Sequence, residues 1–155
     1  MVPDAKGVTA PDVILELCDQ LDTAQRLGAR LAFMEAVIAR EMMSPTSFPP
    51  GWALPHARLG NLSQLSFGLA RAPRPFPWLG CPAAHVRLVW LFAVPELETK
   101  AYLNLVASIA RLSQNTSLVE QLMCAQDARS MFAILEQVPL RHSRSPELAT
   151  GAPSS

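Results

Sequence analysis

Charge is scarce in this chain of 155 residues, and acidic charge is missing from its middle altogether. Asp, Glu, Lys and Arg make up 17% of the residues, below the usual fraction of about 25%. Thirteen basic and thirteen acidic residues cancel. A general binder of nucleic acid or of an acidic membrane surface is basic, so the balance speaks against both. No apolar run reaches the roughly 18 residues needed to cross a bilayer. Asp4, Lys6, Asp12 and Glu16 interrupt any secretory h-region near the start. Cysteine is limited to Cys18, Cys81 and Cys124, widely separated and without a CxxC. An odd, scattered set excludes a disulfide framework and a Cys-rich zinc site. It predicts three reduced, mostly buried thiols in a soluble, cytoplasmic protein.

What is present is apolar: 50% of the residues are hydrophobic, enough to exclude disorder for the chain as a whole. The length suits one domain with a core of its own. Residues 42–95 contain no Asp or Glu but hold Arg58, Arg71, Arg74 and Arg87. This local positive charge fits a site for an anion or an acidic partner, and equally a chance scatter over solvated faces.

Thr9-Ala10-Pro11-Asp12 reads as a helix start, with Thr9 as N-cap and Pro11 in the first turn. Val13, Ile14, Leu17 and Leu21 then recur at helical spacing. Asp22 is a candidate cap for a second helix with Leu27, Leu31, Met34, Val37, Ile38 and Met42 on its apolar face, and Gly28 is a possible break. Prolines from Pro45 to Pro50 end that segment. Trp52 to Leu54 suits a short strand, and Leu65, Phe67 and Leu69 alternate at strand period. Ala72 to Pro82 is Pro-rich and reads as a surface loop. Val86 to Val94 is almost continuously apolar, the pattern of a central strand buried on both faces. Helices follow over Thr99–Ser113, from Asn115 or Thr116 to Met123, and after Asp127, with Tyr102, Leu103, Val106, Ile109 and Leu112 inward on the first of these. Residues 139–155 turn polar and read as a disordered tail. Helices before, between and after strands predict an α/β domain.

Of three histidines, His142 falls in the tail and His85 just before the apolar strand, where it is expected to cap or pack. His56 is different. Pro55 stiffens the chain before it, and it stands where a short strand meets a loop. A neutral imidazole is a good nucleophile near pH 7. A lone histidine is also commonly structural, and the residue alone leaves both readings open.

The surrounding residues add a pattern. Arg40-Glu41 precedes His56 by sixteen positions, and Thr46, Gly51, Ala53, Leu54, Pro55, His56, Ala57 and Arg58 follow in order. Downstream come Val86–Pro95, ending in Val-Pro, then Thr99-Lys100 and Leu103. This ungapped arrangement resembles the fructose/mannitol-type enzyme IIA domain of the bacterial phosphotransferase system, including its nitrogen-regulatory branch, over about residues 8–138. The resemblance implies a three-layer α/β/α sandwich around a small mixed sheet. It implies that His56 accepts a phosphoryl group from an HPr-like phosphocarrier protein and passes it to a IIB domain, or displays it to a regulated target protein. No metal or cofactor is implied, since transfer between two imidazoles rests on positioning and charge stabilisation. Arg40 or Arg58 is a candidate cation for the phosphoryl oxygens; Arg40 is equally a candidate to bind carbonyls at a helix end.

Two departures stand out. The family's second histidine, in Thr-Lys-x-His-Leu, is Tyr102 here. A phenol donates a hydrogen bond but carries no positive charge. In the glycine-rich loop, Ser47 and Pro49 replace glycines and Pro50 follows, which removes backbone donors. These changes leave a phosphocarrier, a stand-alone regulatory protein and a partly degenerate paralogue as alternatives. A chain of this length is expected to hold one IIA domain, with no room for IIB or a membrane component.

Overall fold

The computed structural model describes residues 1–139; residues 140–155, most of the expected polar tail including His142, lie outside the described residues. Helix α1 spans Ala10–Thr23. Thr9 caps it as the sequence predicts: its Oγ1 accepts from the Asp12 N–H, and the Asp12 carboxylate accepts from the Thr9 N–H. Helix α2, Arg30–Met43, departs from expectation. It starts at Ala29 without a side-chain cap, not at Asp22, and the chain between the helices turns through Gln25 at φ 56°. Its buried line is Phe33, Val37 and Glu41, while Leu31 and Met42 face solvent. The apolar pattern misplaced this face because a glutamate occupies one of the buried positions.

Strands β1 (Ser47–Phe48) and β2 (Trp52–Ala53) form a tight antiparallel pair around Pro49-Pro50-Gly51, with a cis Pro49–Pro50 bond and Gly51 at φ 96°. Strand β3 is His56–Leu59, β4 Ser66–Trp78 and β5 Cys81–Pro95. The Pro-rich stretch from Ala72 is therefore not a loop. It completes β4, which turns at Leu79-Gly80 into β5 as one long hairpin. Pro73 and Pro75 fall where the register to β5 shifts between Arg71 and Phe76, and Pro77 borders a second shift before Trp78, so the missing donors coincide with irregularities of the ladder.

Strand β5 is the centre of the sheet. It pairs antiparallel with β4 on one side and parallel with β2 and then β3 on the other. Trp52 stands opposite Leu88 and His56 opposite Phe92. β2 and β3 therefore follow one register, interrupted only at Leu54-Pro55. Residues 2–5 add a short pairing along β4: Val2 bridges Ala70, and the Ala5 N–H donates to the Arg71 carbonyl at 2.9 Å.

Helices α3 (Thr99–Ser113), α4 (Thr116–Cys124) and α5 (Ala128–Leu135) cover one face of the sheet, and α1 and α2 the other. The expected three-layer α/β/α sandwich is thus the observed one. Asn115 and Asp127 cap α4 and α5 through the N–H groups of Leu118 and Ser130. The two cores differ in texture. Towards α1 and α2 the sheet offers Ala53, Ala57, Ala70, Ala72 and Ala93 beside Val89 and Leu91, with Phe76 and Trp78 at the hairpin end. Towards α3–α5 it offers Trp52, Trp90 and Phe92. On the first of these faces α1 approaches so closely that a Cβ on Gly68 would lie 3.0 Å from Leu17 Cδ2. On α3, Ile109 and Leu112 are buried as expected, but Leu103 faces solvent.

The thiols are also less uniform than expected. Cys18 is buried, Cys81 half-buried and Cys124 exposed.

Candidate functional site

His56 opens β3 immediately after the Pro55 interruption, with its side chain half-buried. Its position is held from three directions. Pro55 restricts the preceding Leu54 to extended backbone. The Pro55 carbonyl accepts from the Phe92 N–H of β5 at 3.0 Å. The His56 ring itself bonds back through Nδ1 to the Leu54 carbonyl at 3.1 Å. A carbonyl only accepts, so Nδ1 carries the proton and Nε2 keeps its lone pair. Burial pushes the imidazole below its ordinary value of 6.5, against a smaller upward pull from the Leu54 hydrogen bond, and the Arg40 charge lowers it further. The ring is therefore neutral at pH 7, with one nitrogen tied down and the other without a partner among the described residues, open to act as a nucleophile.

Tyr102 lies in the first turn of α3 and faces this ring, with centroids 5.3 Å apart and planes tilted by 36°. Phe92 supports the phenol edge-on at 5.5 Å. Burial raises the Tyr102 hydroxyl above its ordinary value of 10, so it stays protonated and available as a donor.

Arg40 has the helix-end role. Its guanidinium donates to the Ser44 carbonyl at 2.8 Å, closing the last turn of α2. Its charge still reaches the neighbourhood, adding to the lowering of His56 and partly offsetting the rise of Tyr102 that burial causes. Arg58, two residues beyond His56, donates to the Glu96 carbonyl at 3.2 Å and to Thr99 Oγ1, tying β3 to the start of α3. The other arginines of the acid-free segment do not gather here. Arg71 is buried and bonds the Leu122 and Met123 carbonyls at the end of α4. Arg87 bonds the Ala72 carbonyl, and Arg74 is exposed. The positive middle of the chain is mostly architecture, not one anion site. His85 is exposed on β5, with Nδ1 towards the Ala83 carbonyl at 3.3 Å.

Two residues whose roles the sequence reading left open complete the site from behind. Glu41 is 0% exposed, and three donors converge on its carboxylate. The Trp78 indole N–H and the Thr46 N–H reach Oε2 at 2.8 and 2.9 Å, and the Thr46 hydroxyl reaches Oε1 at 2.7 Å. Thr46 Oγ1 in turn accepts from the Leu54 N–H at 3.1 Å. Glu41 and Thr46 stand in the run of residues that leads to His56. Trp78 was hidden in the segment read as a loop. The alternating prolines, with Phe76 and Trp78 in register between them, were the available signal for a strand there. Among the described residues, no group of three or more His, Cys, Asp and Glu side chains is arranged to hold a metal ion.

A family profile described as phosphoenolpyruvate-dependent sugar phosphotransferase system, EIIA 2, matches residues 2–138. The chain belongs to this family. Among similar proteins is the fructose-specific EIIABC component of Bacillus subtilis (strain 168), 28% identical over 128 residues. The match takes in 81% of this chain but only 20% of that component. The crystal structure of the nitrogen regulatory protein IIA-Ntr from Neisseria meningitidis superposes with a TM-score of 0.75 at 26% identity, covering 85% of this chain and 90% of that one. The Escherichia coli mannitol enzyme IIA, solved in complex with phosphorylated enzyme IIB, shares the fold at a TM-score of 0.68 and 18% identity, over 84% and 90% of the two chains. EIIA 2 membership supports a phosphotransferase-system role, as a phosphocarrier or as a regulatory IIA protein. No helix among the described residues is long and apolar enough to cross a membrane.

Proposed function

We propose that this EIIA 2 protein is a cytoplasmic phosphocarrier that takes a phosphoryl group from an HPr-like protein on His56 Nε2. The single observation that carries the reading is the His56 ring: neutral, bonded at Nδ1, and free at Nε2 beside Tyr102. In the transfer, the Nε2 lone pair forms the new N–P bond as the phosphorus–nitrogen bond to the donor imidazole breaks. The donor ring keeps that electron pair. The proton on His56 Nδ1 remains shared with the Leu54 carbonyl, so the phosphorylated ring is held in the same orientation. The protonated Tyr102 hydroxyl supplies a neutral donor for the phosphoryl oxygens, and the charges of Arg40 and Arg58 favour the added dianion. The first turn of α3 has no side-chain cap, and its N–H groups add to the local positive potential. A IIB domain is the proposed acceptor.

A regulatory role is the second reading, favoured by the likeness to IIA-Ntr. There the phosphoryl group on His56 serves as a charge switch for docking to a target protein.

Phosphoenolpyruvate, enzyme I and HPr, followed by intact mass, test the proposal. One added phosphoryl group in the wild type and none in His56→Ala is the expected result. An unmodified wild type alongside a phosphorylated control IIA domain would refute it. Tyr102→Phe should be labelled several-fold more slowly, because one neutral hydrogen bond to the phosphoryl group is lost.

A further inference from the structure

The hydrogen bonds behind His56 form one chain that begins at the β4–β5 hairpin. The Trp78 N–H donates to Glu41, Glu41 accepts from the Thr46 hydroxyl, Thr46 Oγ1 accepts from the Leu54 N–H, and the Leu54 carbonyl accepts from His56 Nδ1. Each link has a geometric reason to matter. Leu54 lies in the break between β2 and β3, where the ladder to β5 is interrupted. Its N–H is not taken by a neighbouring strand but by Thr46. Pro55 limits Leu54 on its carbonyl side, so Thr46 is what holds the other side of the residue. Thr46 is itself held at two points, N–H and hydroxyl, by the same carboxylate. Glu41 then needs a fixed position of its own. It stands near the end of α2, and the Trp78 indole reaches it from the end of β4. Trp78 is 1% exposed and cannot move without its hairpin. The hairpin tip is pressed onto the same place: a Cβ on Gly80 would lie 2.8 Å from the Glu41 carbonyl oxygen.

We propose that Trp78 is a positioning residue for His56, acting through Glu41, Thr46 and the Leu54 carbonyl to keep the imidazole proton on Nδ1 and the lone pair on Nε2. This rests on the reading of His56 as phosphoryl acceptor, but its geometric part stands without it. In consequence the β4–β5 hairpin, remote from the reacting nitrogen, is part of the phosphoryl-transfer apparatus.

The test reads the His56 ring nitrogens by 15N NMR at neutral pH in the unphosphorylated protein. In the wild type Nδ1 should carry the proton. In Trp78→Phe, which removes the indole donor together with part of the buried ring, and in Thr46→Val, which removes the hydroxyl at equal size, the ratio of Nδ1–H to Nε2–H should fall by about tenfold, the worth of one ordinary hydrogen bond. Thr46→Ser should restore it. The rate of phosphoryl acceptance should fall alongside by roughly 10- to 100-fold, as misplacement of a reacting group does. An unchanged tautomer ratio in Trp78→Phe, with a folded amide spectrum, would overturn the proposal. If Trp78→Phe does not fold, Thr46→Val with Thr46→Ser decides: equal ratios in the two overturn it. The ring spectra require no phosphoryl donor. A normal tautomer shift with no phosphorylation of the wild type would therefore sink the phosphocarrier reading and leave the positioning chain intact.

Discussion

Replacing Glu41 by Leu keeps the buried volume but removes the acceptor of three donors, and the structure allows the cost to be worked out. The Trp78 indole N–H is closed off from water, so leaving it unpaired costs about 1–3 kcal/mol. Thr46 is half-buried, and water can replace part of what its N–H and hydroxyl lose. Those two bonds are worth about 0.5–1 kcal/mol each. The sum, about 3 kcal/mol, is a large share of the roughly 5–15 kcal/mol that holds a domain together. The protein should remain folded, with its melting temperature lowered by roughly 10 °C. Urea denaturation of the wild type, Glu41→Leu, Trp78→Phe and the double variant gives the decisive quantity. In the Trp78→Phe background no indole is left to orphan, so the Glu41→Leu change should cost about 1–3 kcal/mol less than in the wild type. Additivity of the two changes to within about 0.5 kcal/mol would refute the reasoning, because it would mean that Trp78 and Glu41 do not depend on each other.

Three further outcomes are expected. His56 has a lowered pKa in the folded protein, so it favours the native state above about pH 6.5, where the unfolded chain is also neutral, and that contribution fades as pH falls through the folded value. His56→Gln should flatten this part of the pH–stability curve, and phosphoryl acceptance by the wild type should drop over the same acidic range. Gly80→Ala should destabilise by about 2–4 kcal/mol, because φ is +73° there and the new methyl meets the Glu41 carbonyl oxygen at 2.8 Å; an unchanged denaturation midpoint would show that the hairpin tip is free to lift. Burial raises the Cys18 thiol to about 12 while Cys124 is exposed. A thiol reagent at pH 8 should therefore modify Cys124 in the folded protein and leave Cys18 until unfolding, as peptide mass mapping would read out.

Much of the site was legible because its residues are local. His56, Pro55 and Leu54 are consecutive, and Arg40, Glu41 and Thr46 precede them on a short tether, so spacing alone carries the pattern. The α1 capping box, the Asn115 and Asp127 caps and the buried run of β5 were readable for the same reason. Each depends on contacts within a few residues or on the burial of a whole strand. Local pattern was therefore enough to mark α1, α3, α4, α5 and the central strand, and to single out His56 as the candidate histidine, but not the start or the buried face of α2. Tertiary structure decided what it could not. Leu31 and Met42 look like core and face solvent, because the third place on the buried line of α2 belongs to Glu41. A carboxylate is admitted there only where donors meet it, and two of them come from Thr46 across the turn and one from Trp78, far along the chain. The prolines before Trp78 hid the strand that delivers it, since local propensity does not register that they fall at shifts of the ladder to β5. The free nitrogen of His56 was decided in the same way. An imidazole in sequence has two equivalent prospects, and only the fold, by placing the Leu54 carbonyl 3.1 Å from Nδ1, chooses between them.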